Sequence, residues 1–597
     1  MVWGTVNLTY DAVFTLTMAS LLEELFDSVA CQGLTTAQRI RQRIEASGLQ
    51  ADDRRLSLTM ARLAERGDQP IDLEAFRTLV ADEALMLKRA FLHELIIPEW
   101  DEFCADIRAI YNAVAPDRSG ANADYIPILR DADPEPWGVA VCSVDGQRLA
   151  IGDVDLYHSI QSVSKPLTYA HALASEGVAF THQFVGVEPS GRPFNALDLL
   201  PDHRPYNPCV NAGAIVVAGL VASADPDLNS RQITQRLMDL WSRLSGGVAE
   251  VRFSEETMLS ERQTADNNFA IAYLLRGRRG LPRGVDLHKM MDVYLSCCSI
   301  EMTARMLSIA AATLANGGVC PITGEQVLET DVVKRTLSVM QAAGMYDNAG
   351  SFTLEVGLPA KSGVAGAVLV VVPNLMGIAT FSPRLDPYGN SVRGVGFCRE
   401  LVDRFTFHMY DSLSGGRSGC KRDPRESQSN RKQRDLSDLR WGVLCGDRSA
   451  LLVRDRMLSC MLAITLADGE IEDPEIDAMA LIYTELMGHP PDRDELQASA
   501  QTMASQADDS RLDRSDPLQE LFHQLRQERT QLDDNARELI LESAFRVACS
   551  DGEIEPEEDL LLRSLADALG IGSGVLELEM ERFRRRCLAA NGQTARV

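Results

Sequence analysis

The sequence predicts an α+β fold in which a core of mixed sheet and helices lies between two helical blocks. Residues 18–112 place apolar side chains at helical spacing, with few glycines and little clustering of β-branched residues. Short β-rich runs such as 137–144 and 367–372 then flank a long, mostly helical middle. The last block, 441–597, is helical and acidic, with 16 Lys and Arg against 32 Asp and Glu.

These changes in character divide the 597 residues into four parts. A helical N-terminal bundle is predicted over 1–112, and the mixed core over 120–408. Residues 411–440 are rich in Ser, Gly, Arg and Asp and almost free of large apolar side chains, which is typical of a flexible linker. An all-α C-terminal domain is predicted over 441–597.

Composition and charge exclude several classes of function. The apolar fraction of 45% and the charged fraction of 24% are ordinary for a globular protein. A net charge of −27 argues against nucleic acid, and against an anionic membrane surface, as the main ligand. The 13 cysteines are scattered and include no Cys-x-x-Cys pair, which fits a reducing compartment. Since no signal-peptide pattern or apolar run of membrane-spanning length is found either, we expect a cytoplasmic protein.

Two motifs of the core are typical of an active site with a serine nucleophile. Ser162-x-x-Lys165 puts a hydroxyl and an amine on one helical face, about one turn apart. A serine needs a base beside it, and a lysine whose pKa is depressed by burial can serve as that base. About 200 residues later, Lys361-Ser362-Gly363 opens a strand-like run. Both motifs in this order resemble the β-lactamase and penicillin-binding fold, in which strand backbone supplies an oxyanion N–H.

Other enzyme classes lack their motifs. The sequence has no His-Glu-x-x-His, no Walker loop and no Gly-x-Gly-x-x-Gly after a strand. Its nine histidines show no paired spacing, so we expect no catalytic metal.

A longer series of ordered motifs runs through the core: Asp124-Tyr125-Ile-Pro, Gln161-Ser162-x-x-Lys165, Glu188-Pro-Ser-Gly191, Asn207-Pro-x-Val-Asn211, Ser260-Glu261-Arg262, Asn268-Phe269, Cys298-Ser-Ile-Glu301, Gly344-Met-Tyr346-Asp347 and Ala360-Lys-Ser-Gly-Val364-Ala-Gly366. Together these motifs are similar to those of the serine-dependent glutaminases, especially the animal kidney- and liver-type enzymes. The resemblance is dense over 120–408. It extends upstream to about residue 20, where the helical block resembles an EF-hand-like segment without the Asp-x-Asp-x-Asp-Gly calcium ligands.

The resemblance implies hydrolysis of L-glutamine to L-glutamate and ammonia, without a cofactor, by a homodimer or higher homo-oligomer. In that mechanism Ser162 attacks the side-chain amide and Lys165 is the base. The remaining implied positions are the backbone N–H groups of Ser162 and Val364 for the oxyanion, Tyr294 and Tyr346 for proton relay, and Tyr125, Asn211, Glu261 and Asn268 for the amino-acid moiety. Ser162, Tyr294, Tyr346 and Val364 are implied to contact the substrate as well. A zwitterionic substrate needs an anion for its ammonium, which Glu261 supplies, and neutral donors for its carboxylate.

Three positions depart from the animal pattern: Ala196, Asn267 and Leu274 stand where those enzymes carry Lys, Arg and Tyr. Because of these departures, the sequence does not predict whether phosphate activates the protein or whether it forms filaments. It also does not predict selectivity for glutamine over asparagine. Two other functions remain alternatives, namely a β-lactamase-type acyl hydrolase and an inactive scaffold that works through its acidic tail.

The C-terminal block contains a repeat. Ala467-Asp-Gly-Glu-Ile-Glu472 recurs as Ser550-Asp-Gly-Glu-Ile-Glu555, each beside a predicted helix start. The block resembles the tellurite-resistance TerB-like domains, and its partner is unknown. The repeat indicates either two solvated turns or a divalent-cation site, and we favour the turns because the spacing does not match an EF-hand loop.

Overall fold

The structure is a computed structural model. It describes residues 21–67, 69–411, 421–427, 436–437, 439–465, 473–488, 490–491, 517–532, 534–548, 554 and 556–572. These residues fall into two compact units, one within Met1–Arg417 and Lys421–Glu426 and the other within Ser418–Cys420 and Ser427–Val597. The predicted α+β class, with a helical block before and after the mixed core, is confirmed.

The first unit begins with a helical bundle that has its own apolar core. Helix α1 starts after Thr36, whose hydroxyl accepts a hydrogen bond from the Arg39 N–H and so caps the helix. Phe26 and Phe76 meet edge to face, with ring centroids 5.5 Å apart. The helices are α1 (Ala37–Ala46), α2 (Ser57–Arg66), α3 (Leu73–Val80) and α4 (Ala84–Phe91), followed by α5 (Trp100–Val114).

A five-stranded antiparallel sheet forms the centre of this unit, in the order β2-β1-β8-β7-β6. Its strands are β1 (Gly138–Ser143), β2 (Arg148–Gly152), β6 (Ala360–Ser362), β7 (Ala367–Val372) and β8 (Met376–Phe381). Both faces are buried, which explains why β7 reads as a continuous apolar run rather than an alternating one. Leu369 and Val371 pack into the helical core on one face, and Val368 and Val370 pack with α5 residues on the other.

The helical middle packs on one face of that sheet. Helix α9 (Asn211–Ala224) is buried on nearly every side, so it is a core helix without a polar face. A second sheet, β3-β5-β4, is made of β3 (His158–Ser159), β5 (Ile300–Met302) and β4 (Arg252–Phe253). The further helices of this unit are α6 (Pro127–Arg130), α7 (Ser164–Glu176), α8 (Val178–Thr181), α9 (Asn211–Ala224), α10 (Ser230–Leu244), α11 (Glu255–Gln263), α12 (Asp266–Gly277), α13 (Leu287–Cys298), α14 (Ala304–Ala315), α15 (Thr330–Ala343), α16 (Ala349–Glu355) and α17 (Val392–Arg404). Of these, α16 and α17 pack with α5 on the opposite face.

The N-terminal bundle is attached to the turn between β1 and β2. The buried Gln147 side chain donates hydrogen bonds of 2.9 Å to the carbonyl oxygens of Ser47 and Ile97. The Asp145 carboxylate accepts from the Ile96 N–H at 2.6 Å and pairs with Arg89 at 2.5 Å. These contacts make the bundle and the sheet one folded unit.

The second unit is all-α and has a separate apolar core. Its described helices are α18 (Arg448–Ile464), α19 (Asp473–Met487), α20 (Pro517–Glu528), α21 (Asp534–Ala548) and α22 (Pro556–Leu569). Both Asp-Gly-Glu-Ile-Glu repeats lie outside the described residues except for Ile554, and so does most of the linker predicted over 411–440. Within that linker, Lys421–Glu426 belongs to the first unit, where the Arg422 N–H donates to the Arg404 carbonyl. Within the described residues, no helix combines the length and apolar character needed to cross a bilayer.

Replacing Gly377 with alanine is expected to destabilise the first unit. A Cβ at this position on β8 would lie 2.0 Å from the backbone nitrogen of Ala312 on α14, and neither backbone can give way easily. Overpacking of this kind costs about 1–3 kcal/mol. Gly350→Ala is the matched control, because a Cβ there meets nothing within 4 Å and alanine favours a helix. Urea denaturation of both variants checks this, and equal stabilities would contradict the close packing of α14 on β8.

Candidate active site

The predicted nucleophile lies in a strained turn. Gln161–Val163 forms a 3₁₀ turn that runs directly into α7, and Gln161 has a φ of 49°. A non-glycine residue in this region costs about 1–3 kcal/mol and persists only where the surroundings enforce it. Here the Ser164 hydroxyl donates to the Gln161 carbonyl at 2.7 Å. Ser162 itself is buried.

The end of β6 packs against this turn. A Cβ on Gly363 would lie 2.7 Å from the Ile160 carbonyl oxygen, so the two backbones approach closely only because residue 363 is glycine. Val364, the predicted oxyanion position, follows in the turn between β6 and β7. The predicted β-lactamase-like arrangement, a Ser-x-x-Lys helix beside a Lys-Ser-Gly strand, is confirmed.

Lys165 is buried one turn beyond Ser162. Its ammonium donates to Asn211 Oδ1 at 2.7 Å and to the Cys209 carbonyl at 3.3 Å. Burial lowers the pKa of Lys165, against the opposing effect of Cys298, Cys209 and Glu261. Among the described residues, no hydrogen bond joins the ammonium to the Ser162 hydroxyl. Catalytic hydrogen bonds commonly form only when substrate is bound, so this geometry is compatible with a basic role.

Behind Lys165 lies a small cavity of about 10 Å³, lined by Thr168, Tyr294 and Cys298 among others. It has room for about one water molecule.

Glu261 is a buried carboxylate on α11 that accepts a hydrogen bond of 2.6 Å from the Tyr125 hydroxyl. Burial raises the pKa of Glu261, while Tyr125, Gln161 and Lys165 act to lower it. Although 44% of Tyr125 is exposed, its hydroxyl is enclosed, and burial beside Glu261 raises its pKa well above the usual value. The neighbouring Arg262 pairs with Asp292 instead, and none of the described cationic side chains forms an ion pair with Glu261.

Two of the predicted substrate positions, Asn211 and Asn268, are connected to the predicted base. Asn211 Nδ2 donates to Asn268 Oδ1 at 3.0 Å, while the other end of the Asn211 amide accepts from Lys165. The structure therefore joins Lys165, Asn211 and Asn268 in one network and Tyr125 and Glu261 in another, with Gln161 next to the second.

The two predicted relay tyrosines are both buried in this region. Burial raises the pKa of each hydroxyl, and the Ser162 side chain beside Tyr346 acts to lower that of Tyr346. The Tyr346 hydroxyl is enclosed and forms no hydrogen bond of ordinary geometry with any described residue. A core tyrosine normally has a satisfied hydroxyl, so Tyr346 is not simply a packing residue.

Three further groups, whose roles could not be predicted from the sequence, lie at this site. Gln161 Oε1 lies 3.3 Å from the Tyr125 hydroxyl, Lys361 is fully buried beside Tyr346, and the Cys298 thiol lies among the predicted residues. Each of the three lies in one of the glutaminase-like motifs. The motifs alone do not show which side chains these groups contact in the folded chain.

The segment that carries Glu188-Pro-Ser-Gly191 is attached near the site. The Phe194 carbonyl accepts from the Asn211 N–H at 2.8 Å, and the Asn267 side chain donates to the Asn195 carbonyl at 2.9 Å. Asn267, one of the three departures from the animal pattern, therefore holds this segment. In the part of the chain that is described, no cluster of His, Cys, Asp or Glu is arranged to hold a metal ion.

Models of three known families match the chain. A glutaminase model matches residues 120–410, an EF-hand model residues 21–98, and the model of tellurite resistance protein TerB residues 454–578. These matches confirm the kinships predicted for the core and for both helical blocks.

Known proteins are similar over most of this length. The liver-isoform glutaminase of Mus musculus, described as mitochondrial, is 40% identical over 446 residues, which is 72% of this chain and 73% of the mouse protein. The glutaminase of Corynebacterium glutamicum is 42% identical over 52% of this chain and 73% of its own length. A crystal structure of the protein Mglu in its glutamate form is 38% identical, with a TM-score of 0.47 over 50% of this chain and 68% of that one.

Replacing Lys361 with methionine is expected to change how stability depends on pH. Burial lowers the pKa of Lys361 to about 7 in the folded protein, from 10.5. Between these values the unfolded chain binds more protons, so this lysine makes the wild type more stable as the pH rises. The free energy of unfolding of the wild type, relative to Lys361→Met, should therefore rise by about 1 kcal/mol per pH unit between about pH 7.5 and 9.5.

Urea denaturation across this pH range measures the difference. Lys334→Met, at an exposed position on α15, is the control and should show no such trend. A flat difference for Lys361→Met would mean that Lys361 keeps its proton in the folded state.

Proposed function

The chain belongs to the glutaminase family, and from this membership and the geometry of the site we propose that it hydrolyses L-glutamine to L-glutamate and ammonia through a γ-glutamyl ester of Ser162. The observation that carries the proposal is the placing of a buried carboxylate, Glu261, without a cationic partner among the described residues, in the same site as the Ser162–Lys165 pair. Such a carboxylate suits the α-ammonium of an amino acid, and the pair suits attack on its amide.

Acylation starts with the amine of Lys165. Because burial lowers its pKa, a larger fraction of this amine is neutral near pH 7 than for an exposed lysine. The neutral amine accepts the Ser162 proton as the hydroxyl oxygen attacks the side-chain carbonyl carbon. The same proton then passes to the departing nitrogen, so that ammonia leaves and the ester remains.

The developing oxyanion is stabilised by the backbone N–H groups of Ser162 and Val364. These residues lie on the two segments that Gly363 allows to approach, namely the nucleophile turn and the end of β6. Fixed backbone donors need no reorganisation during the reaction, which is why such sites account for a large part of catalysis. Tyr346 and Tyr294 relay protons during acylation and deacylation. The Tyr346 hydroxyl lies beside Ser162 without a hydrogen bond of ordinary geometry to any described residue, which suits this role.

The other predicted residues of the site bind the amino-acid moiety of the substrate. Glu261 receives the α-ammonium, and the Tyr125 hydroxyl and the Asn211 and Asn268 amides provide neutral donors for the α-carboxylate. On binding, the substrate replaces part of the existing hydrogen bonding, such as that between Tyr125 and Glu261. The distance from Glu261 to Ser162 then sets the side-chain length that reaches the nucleophile.

Release of ammonia and glutamate from L-glutamine by the purified chain tests the proposal directly. Turnover is expected for the wild type and none for Ser162→Ala, with similar circular dichroism spectra for both.

Assays with and without phosphate, with asparagine, and with a chromogenic β-lactam separate the alternatives. Lactam turnover without ammonia from glutamine would replace the proposal by the acyl-hydrolase alternative, and no turnover at all would leave the scaffold alternative. A chain ending at Glu426, where the first unit ends, shows whether the C-terminal unit is needed.

Replacing Lys165 with methionine, which keeps the length but not the amine, is expected to lower kcat by about 10²–10⁴-fold. The physical reason is the loss of the only base next to Ser162 in the proposed mechanism. Steady-state kinetics with glutamine measure the change, with Lys334→Met as the control. A near-normal kcat would show that another group takes the serine proton.

Replacing Glu261 with glutamine is expected to act mainly on substrate binding. Losing a charge-assisted hydrogen bond of about 1.5–3 kcal/mol raises KM for glutamine by at least about tenfold. Glu256→Gln, an exposed position on the same helix, is the control. An unchanged KM would remove Glu261 from the proposed ammonium contact.

A further inference from the structure

Lys361 occupies a place in the site that none of the steps above uses. Its side chain is fully buried, and its ammonium donates a hydrogen bond of 2.5 Å to the carbonyl oxygen of Ser362. The same nitrogen lies 4.2 Å from the centroid of the Tyr346 ring, on its face. A cation in this position is attracted by the ring electrons, and the attraction is larger where water is excluded.

Tyr346 depends on ring contacts for its orientation. Its backbone is strained, with a φ of 54°, and its hydroxyl forms no hydrogen bond of ordinary geometry with any described residue. The Phe194 ring also contacts it, with centroids 4.9 Å apart. The Ser162 side chain lies beside the hydroxyl but outside ordinary hydrogen-bond geometry, so contacts to the ring orient the phenol.

We propose that Lys361 is a positioning residue that acts through Tyr346: its ammonium on the ring face holds the phenol hydroxyl at Ser162 and favours negative charge on that oxygen during proton transfer. The proposal rests on the proposed function, because it assigns Lys361 to the same reaction. It requires no further reactant, since the proton still passes between the groups already named.

The surroundings of Lys361 suit this role. The titratable groups that face it are Tyr346, Lys165, Cys209 and Cys298. Burial, with a smaller contribution from the neighbouring Lys165, lowers its pKa to about 7, so the charged and neutral forms coexist near neutral pH. The backbone carbonyl of Ser362 and the Tyr346 ring are the partners that keep the charged form in place.

Kinetics of full-length Lys361→Met test the proposal. We expect kcat for glutamine to fall by at least about tenfold, as for loss of part of a proton-transfer step, while KM changes by less than about twofold. KM should hold because Glu261, Asn211 and Asn268 are not among the groups that Lys361 contacts. Lys334→Met is the control. An unchanged kcat, or a change confined to KM, would overturn the proposal.

Lys361→Gln is the second variant, for the case in which the methionine variant does not fold. Glutamine keeps a donor in the direction of the Ser362 carbonyl but carries no charge. A similar loss of kcat is expected. If this variant keeps the wild-type kcat, a positive charge at residue 361 is not required and the proposal is overturned.

A double-mutant cycle with Tyr346→Phe shows whether Lys361 acts through the Tyr346 hydroxyl. If it does, removing Lys361 in the Tyr346→Phe background should change kcat by less than about twofold. Single-turnover assays at high enzyme concentration keep the slow variants measurable. Losses that multiply would mean that Lys361 acts independently of Tyr346, and would overturn the proposal. A wild type that releases no ammonia from glutamine would instead refute the proposed function.

Discussion

The burial of two lysine side chains at one site is the constraint on which the rest of the site depends. Removing an ammonium from water is costly unless polar atoms replace the water, and a second buried ammonium nearby adds repulsion. The protein meets this cost with neutral partners: Asn211 and the Cys209 carbonyl for Lys165, and the Ser362 carbonyl and the Tyr346 ring for Lys361. Neutral partners leave both pKa values low, whereas paired carboxylates would have raised them. Asn211 on α9, Ser362 on β6 and the Tyr346 ring therefore supply the partners that the two buried amines require.

The central sheet separates this site from the N-terminal bundle. Strand β6, next to the nucleophile turn, forms one edge of the sheet, and β2 forms the other. The bundle binds the β1–β2 turn through Asp145 and Gln147, and the ion pair between Arg148 and Asp52 adds a contact at the start of β2. The helical block that matches the EF-hand model therefore has a structural role in this chain. It supplies hydrogen-bond partners for buried polar side chains of the β1–β2 turn.

Much of the fold follows from local patterns, whereas the site depends on distant contacts. Helical spacing and the short β-rich runs predicted the α+β class, and the Ser162–Lys165 spacing predicted that both side chains share one helical face. Spacing could not predict the Tyr125–Glu261 contact, which joins residues 136 positions apart, and the family resemblance alone brought them together. The positive φ of Gln161 and the stacking of Lys361 on Tyr346 arise from tertiary packing that overrides local preference. The hydrogen bond from Lys165 to Asn211, 46 positions away, is likewise a tertiary contact that spacing could not predict.

The central claim is that Ser162 is the nucleophile, and labelling with a diazoketone analogue of L-glutamine tests it most directly. Such an analogue binds as the substrate does and alkylates the nucleophile at the carbon beside its carbonyl. Peptide mass spectrometry should find the label on Ser162, at about one equivalent per chain at full inactivation, with L-glutamine protecting and Ser162→Ala remaining unlabelled. Inactivation with the label on Cys298, Cys209 or any other side chain, and an unmodified Ser162, would contradict the account.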